Sequence, residues 1–186
     1  MSIPALRQAT YEDLLAVPNH LVAELIEGHI VTSPRPASRH ALAASGLGGE
    51  LYGPFQRGRG GPGGWIILDE PELHLGSNVL VPDLAGWKRE RMPALPDVAA
   101  FELAPDWICE VLSPSTQAVD RADKVPLYAR SQVLFVWLLD PLAQTLEAYR
   151  LEGTLYLLLG TWRGNTVVSV EPFESYQLDL GVLWER

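Results

Sequence analysis

Trp107-Ile108-Cys109-Glu110-Val111-Leu112, followed by Ser113-Pro114-Ser115-Thr116, is the stretch on which the reading of this 186-residue chain turns. The first six residues are apolar on both faces except at Glu110, which predicts a central strand covered above and below. Ser-Pro-Ser-Thr ends it. A carboxylate in such a strand is unfavourable unless it is paired or holds a metal. Upstream, Val79-Leu80-Val81-Pro82-Asp83 closes a second apolar run on an acid. Fourteen residues after Glu110 stands Lys124, one of two lysines among fourteen basic residues.

Other elements follow outward from this core. Thr10 before Tyr11-Glu12-Asp13 predicts a capped helix that stops before Pro18. Residues 21–26 and 29–32 predict a hairpin about Glu27-Gly28. A helix is expected over 37–55, with a middle that Gly46, Gly48 and Gly49 make weak or closely packed. Residues 57–64 are a glycine-rich loop with two arginines, a connector or a phosphate contact. Strands are expected at 65–69, 72–75 and 79–87, then a proline-rich excursion to Pro105. A helix over 120–130, limited by Pro126, leads to a second buried strand at 133–139. A hairpin over 146–159 about Glu152-Gly153 and a strand at 167–170 complete the chain.

The length fits one domain over 1–186 with a real core, and 47% hydrophobic with 20% charged residues fits a globular protein. No apolar run spans a bilayer, and no signal segment is legible, so a cytoplasmic location without membrane attachment is expected. The single cysteine, Cys109, excludes an internal disulfide and reads as a small buried hydrophobe. A net charge of −9 opposes broad attraction to phosphates, which leaves only a local arginine patch to face a groove.

In an extended segment Ile108, Glu110 and Leu112 share a face, and so do Val81 and Asp83. Pro82 marks an edge, a start or a bulge that aims a side chain. If the strands are adjacent, Asp83 and Glu110 can bind one hard cation such as magnesium, with Lys124 reaching over from the next helix. The alternative is a buried Glu110–Lys124 ion pair with Asp83 as a turn former.

The run at 107–116, the Asp120 to Lys124 segment and Val81-Pro82-Asp83-Leu84 resemble a bacterial family known as “putative restriction endonuclease”, once catalogued as a domain of unknown function. That family lies in the PD-(D/E)XK nuclease superfamily. The resemblance also covers Ala-Glu-Leu-Ile-Glu-Gly at 23–28, Ser-Pro-Arg-Pro-Ala-Ser-Arg-His at 33–40 and Trp-Leu-Leu-Asp-Pro at 137–141. It implies an α/β, restriction endonuclease-like core: a mixed central sheet flanked by helices, with additional hairpins. It further implies Mg (or Mn) held by Asp83, Glu110 and the carbonyl of Val111, supported by Glu24. Lys124 matches a lysine relocated from the usual position, which is Leu112 here. His40 matches a recurring histidine that serves as a base, a phosphate contact or a structural residue. The resemblance implies phosphodiester hydrolysis, with DNA as the expected partner and a homodimer compatible with double-strand cutting. A nuclease-fold module that binds nucleic acid or protein without cutting is the alternative. Asp69, Glu70 and Glu72 read as a solvated turn, with the approach of one of them to the metal as the alternative; Asp120 reads as a helix cap, with a bond to Ser or Thr of the preceding loop or the orienting of Lys124 as alternatives; His20, His29 and His74 read as structural. The later strand departs from the family, with Gln132 and Phe135 where a glycine and an acid are common.

Overall fold

A computed structural model describes residues 7–185 of the chain. Its centre is a six-stranded mixed sheet in the order β10-β9-β8-β7-β6-β3. These strands are β3 (Trp65–Asp69), β6 (Leu84–Lys88), β7 (Trp107–Val111), β8 (Phe135–Asp140), β9 (Thr145–Glu152) and β10 (Leu155–Arg163). β7 runs parallel to β8 and antiparallel to β6. All five of its residues are buried, as a strand clothed on both faces requires.

Alternation along β7 sorts the two cores. Trp107, Cys109 and Val111 face one core; Ile108, with Leu112 beyond the strand, faces the other. The first core is closed by α2 (Ser38–Leu51), whose Ala43, Leu47 and Leu51 form one stripe that Phe55 extends. Gly46 lies on this helix because the C-terminal segment crosses it. A Cβ there would stand 3.3 Å from the Leu183 side chain, so the glycine serves close packing. Phe173 packs against Phe55, Trp65, Trp107 and Trp137, with ring centroids 4.5–5.6 Å apart.

The second face carries α4 (Val125–Arg130), through Leu127 and Tyr128, and a smaller sheet in the order β2-β1-β5-β4. Its strands are β1 (Val22–Ile26), β2 (His29–Ser33), β4 (Leu73–Leu75) and β5 (Asn78–Leu80). The β1–β2 hairpin turns at Glu27 and Gly28, both at positive φ, as a two-residue hairpin turn demands. α1 (Tyr11–Leu15) has Thr10 as its cap in a reciprocal capping box with Asp13, and it buries Leu14 against Leu25 and Val79.

The structure redraws several expectations. Residues 79–87 are not one strand. Pro82 supplies no N–H, and the chain passes there from β5 in the small sheet to β6 in the central one. The expected helix over 120–130 begins earlier, at α3 (Gln117–Val119), and passes through a π-helical turn, Asp120–Lys124, before α4. The wide turn brings the chain to Pro126 at the first positions of α4, where a missing N–H is tolerated. Asp120 is therefore inside the helical arm and not its cap. The strand after that arm begins at Phe135 instead of Val133, and the next hairpin turns about Gly153-Thr154, because Glu152 pairs with Leu155. The strand expected at 167–170 shortens to β11 (Val167–Val168), paired with β12 (Leu178–Asp179).

Candidate active site

Five elements deliver one acidic cavity at the C-terminal end of β7. Glu110 comes from the strand itself and is 1% exposed. Its Oε1 accepts from Lys124 Nζ at 3.1 Å and from the Tyr128 hydroxyl at 2.5 Å. Lys124 and Tyr128 stand four residues apart on the helical arm, so both point down from one face. The Lys124 ammonium also lies 3.0 Å from Glu24 Oε1 and 3.3 Å from Asp120 Oδ1. Glu24 reaches in from β1 and accepts the Val81 N–H at 2.8 Å, which ties the small sheet to the strap before Asp83.

Asp83 occupies the last position of that strap. Its Oδ2 accepts the Val111 N–H at 2.7 Å, and its Oδ1 lies 3.2 Å from His40 Nε2 on the first turn of α2. His40 Nδ1 is buried and has no hydrogen-bond partner. These side chains, with Ser113, Ser115 and Thr116, line a cavity of about 260 Å³. A cleft of about 710 Å³ along α2 shares Pro36, His40, Glu70 and Asp83 with it.

The charges do not balance within this cluster. Glu24, Asp83, Glu110 and Asp120 face one lysine, and among the described residues His40 is the only other basic group within ion-pair distance of these acids, with Arg35 elsewhere in the cavity wall. Burial pushes the Glu110 carboxyl well up; Lys124 opposes this, while Asp120, Asp83 and Glu24 add to it. Burial opposes charge on Lys124, yet Glu110, Glu24 and Asp120 outweigh it and hold the ammonium protonated. Burial raises Asp120 against the pull of Lys124. For His40, burial works downward, but the Asp83 carboxylate and the Val111 backbone leave it above its ordinary value. The arrangement is an ammonium shared by three carboxyl groups, with burial working against charge on Glu110 and Asp120.

The donor set suits a hard divalent cation: carboxylate oxygens in excess of positive charge, lining one cavity. Among the described residues, however, no three Asp, Glu, His or Cys side chains converge in the spacing of a formed metal centre. Lys124 holds the middle of the acids, and Asp83 is engaged by His40 and Val111.

All the residues singled out in the sequence meet here: Asp83, Glu110, Lys124, Glu24, His40 and Val111 line the same cavity. Tyr128 was not foreseen, and Asp120, read as a helix cap with the orienting of Lys124 as the alternative, takes the alternative, its Oδ1 lying 3.3 Å from Lys124 Nζ. The signal for Tyr128 is its spacing of four from Lys124. Of the second acidic group, Glu70 lines both cavities, whereas Glu72 is turned to His74 and Tyr11. Arg57 and Arg59 line neither cavity, so the glycine-rich loop reads as a connector.

A family model, Uma2, described as “Putative restriction endonuclease”, matches residues 9–181. No curated protein matches the chain. Among solved structures, the chain is similar to a “putative nuclease belonging to DUF820” from Anabaena variabilis ATCC 29413. The two are 24% identical with a TM-score of 0.75, over 94% of this chain and 97% of that one, a likeness of fold.

Proposed function

The chain belongs to the Uma2 family, described as “Putative restriction endonuclease”, and from that premise we propose that it is a divalent-metal-dependent nuclease that hydrolyses phosphodiester bonds in DNA. The observation that carries this reading is the excess of buried carboxylate over ammonium around Lys124 and Asp83, which a dication of the magnesium or manganese type relieves. Asp83, Glu110 and the Val111 carbonyl would hold the ion, with Glu24 in support. When bound, the ion lowers the pKa of a water and screens charge on the phosphoryl oxygens.

The protein's own groups supply the rest. Lys124, fixed by three carboxyl groups, presents a charge that needs no reorganisation when negative charge grows on the phosphate. Tyr128 and Lys124 fix Glu110 Oε1 from one side, which leaves Oε2 as its free oxygen. His40, on the border of the two cavities with a raised proton affinity, can deliver a proton to the leaving oxygen.

The test is cleavage of plasmid and oligonucleotide DNA with magnesium or manganese, paired with calorimetric titration of manganese. Asp83→Asn and Glu110→Gln are expected to lower cleavage by about two to three orders of magnitude while circular dichroism stays native. Cleavage at the wild-type rate in either variant overturns the assignment. A non-cutting module that binds nucleic acid or protein is the competing reading, favoured by the ties that Lys124 already makes to three acids. It requires that the native protein take up no manganese.

A further inference from the structure

We propose, on the premise that the acidic cavity cuts phosphodiester bonds, that the larger cleft beside it holds an unpaired stretch of DNA by its bases, so that the substrate is single-stranded or splayed next to the cut. The cleft of about 710 Å³ shares Pro36, His40, Glu70 and Asp83 with the acidic cavity. From there it follows one face of α2 into the π-helical turn beyond it, Tyr52–Gln56. His40 and Tyr52 stand twelve residues apart, which puts the far end about 18 Å along the helix from the acids.

The helical wall between these ends is nearly bare. It consists of Ala41, Ala44, Ser45, Gly48 and Gly49. The C-terminal segment requires Gly46, but nothing in the chain requires Gly49, where a Cβ would meet no atom within 4 Å. A Cβ at Gly48 would make only an ordinary contact with Leu84, at 3.4 Å. Glycine inside a helix weakens it relative to alanine. What the two glycines provide is room for a ligand close to the helix backbone. No lysine or arginine lines the cleft, whereas Asp69, Glu70 and Asp83 do. A concave wall reaches a duplex chiefly through its phosphates, because the base edges lie down in the grooves. Here those phosphates would meet carboxylates. The bases are the part of a strand that such a wall accepts, and only unpaired bases can turn into a hollow.

The far end carries the groups that a base needs. The Tyr52 ring is exposed by 42%, while Phe55 of the same turn is buried against Phe173 and Tyr176. Gln56 Oε1 accepts the N–H of Ile67, on the edge strand β3, at 2.8 Å. That bond fixes the amide the right way round and leaves Nε2 with two donors that no described residue engages. Asp69 and Glu70 add exposed acceptors on the opposite wall. A stacking plane beside amide donors and carboxylate acceptors matches a nucleobase, which offers a π-face and an edge of donors and acceptors. Tyr52 and Gln56 thus read bases away from the bond that is cut, and His40 and Asp83 stand where the strand enters the acidic cavity.

Fluorescence anisotropy tests this on the full chain in manganese, with a labelled oligonucleotide whose phosphorothioate linkages resist cutting, as a single strand and as a duplex. The single strand is expected to bind at least about 10-fold more tightly than the duplex. Its affinity should fall only gently with salt, because few phosphates are held. Gly49→Leu fills the cleft and favours the helix, so it should abolish the preference while the melting temperature stays at or above that of the wild type. Tyr52→Ala should weaken the single strand about 10-fold and the duplex little. Equal affinity for the two DNAs, no binding to either, or single-strand binding unchanged in either variant overturns the proposal. Manganese uptake and cleavage by the native protein report on the nuclease reading separately. A protein that takes up manganese and cuts duplex as readily as single strand keeps that reading and loses this one.

Discussion

Lys124 is the residue on which the cavity depends, because one ammonium answers three carboxyl groups at 3.0–3.3 Å. Replacing it with methionine keeps the stem and removes the charge. Glu24, Glu110 and Asp120 then repel one another in a buried setting, and Lys124→Met is expected to lower unfolding free energy by about 3–5 kcal/mol in urea titrations. The double variant with Glu110→Gln should recover part of that loss, since it removes one of the stranded acids. A loss within about 0.5 kcal/mol would show that the cluster does not depend on the ammonium. At this scale the sequence was largely readable. A carboxylate in an apolar strand is conspicuous because burial without a partner is unfavourable, and Glu110, Asp83 and Lys124 were found on that ground. Tyr128 escaped because a tyrosine on an amphipathic helix reads as core, and only the fold shows its hydroxyl turned to Glu110.

The helical arm over residues 117–130 owes its position to packing and to two surface ion pairs, Arg130 to Glu27 and Arg121 to Glu147. Arg121 donates two bonds to Glu147 on β9, at 2.8 and 2.7 Å, and Tyr149 donates a third. The Arg121 guanidinium holds the Glu147 carboxyl below the usual carboxylate range, with help from Tyr149 and against partial burial. A depressed carboxylate contributes stability that is present above its unfolded value and lost as pH falls through the folded one. Glu147→Gln is therefore expected to cost up to about 1 kcal/mol near neutral pH and progressively less as the pH falls below the usual carboxylate range, read by thermal melts across that span. An equal cost at both ends would exclude the ionic origin. Elements were legible where pattern and punctuation agreed: the Glu27-Gly28 turn, the Thr10 cap, the β7 strand. The division of 79–87 was not. Pro82 signals an interruption, but whether the chain resumes in the same sheet or leaves for another is decided by partners far away in sequence, Leu25 for β5 and Cys109 for β6.

Over the whole molecule, two cores lie on opposite faces of one sheet, and the first is closed by the C-terminal segment. Phe173 is the keystone of that closure, 2% exposed among four aromatic rings. Phe173→Ala is expected to destabilise the protein by about 3–5 kcal/mol while leaving the bonds that Lys124 and Tyr128 make to Glu110, on the other face of the sheet. A change under about 1 kcal/mol would mean that the segment only rests on a core already complete. The mixed sheet and its flanking layers followed from resemblance, whereas strand order did not, since a period-two pattern shows which face is buried and not which neighbour pairs. The separate origins of the cavity's residues bear on assembly. Glu24 belongs to the small sheet, Asp83 to the strap between sheets, Glu110 to the central sheet, His40 to α2 and Lys124 to the arm. The β7–arm–β8 crossover alone carries Glu110, Asp120, Lys124 and Tyr128, whereas Glu24, Asp83 and His40 come from three other elements. The crossover therefore holds two acids and the lysine in one unit, and Glu24, Asp83 and His40 complete the cavity only where the small sheet, the strap and α2 dock on it.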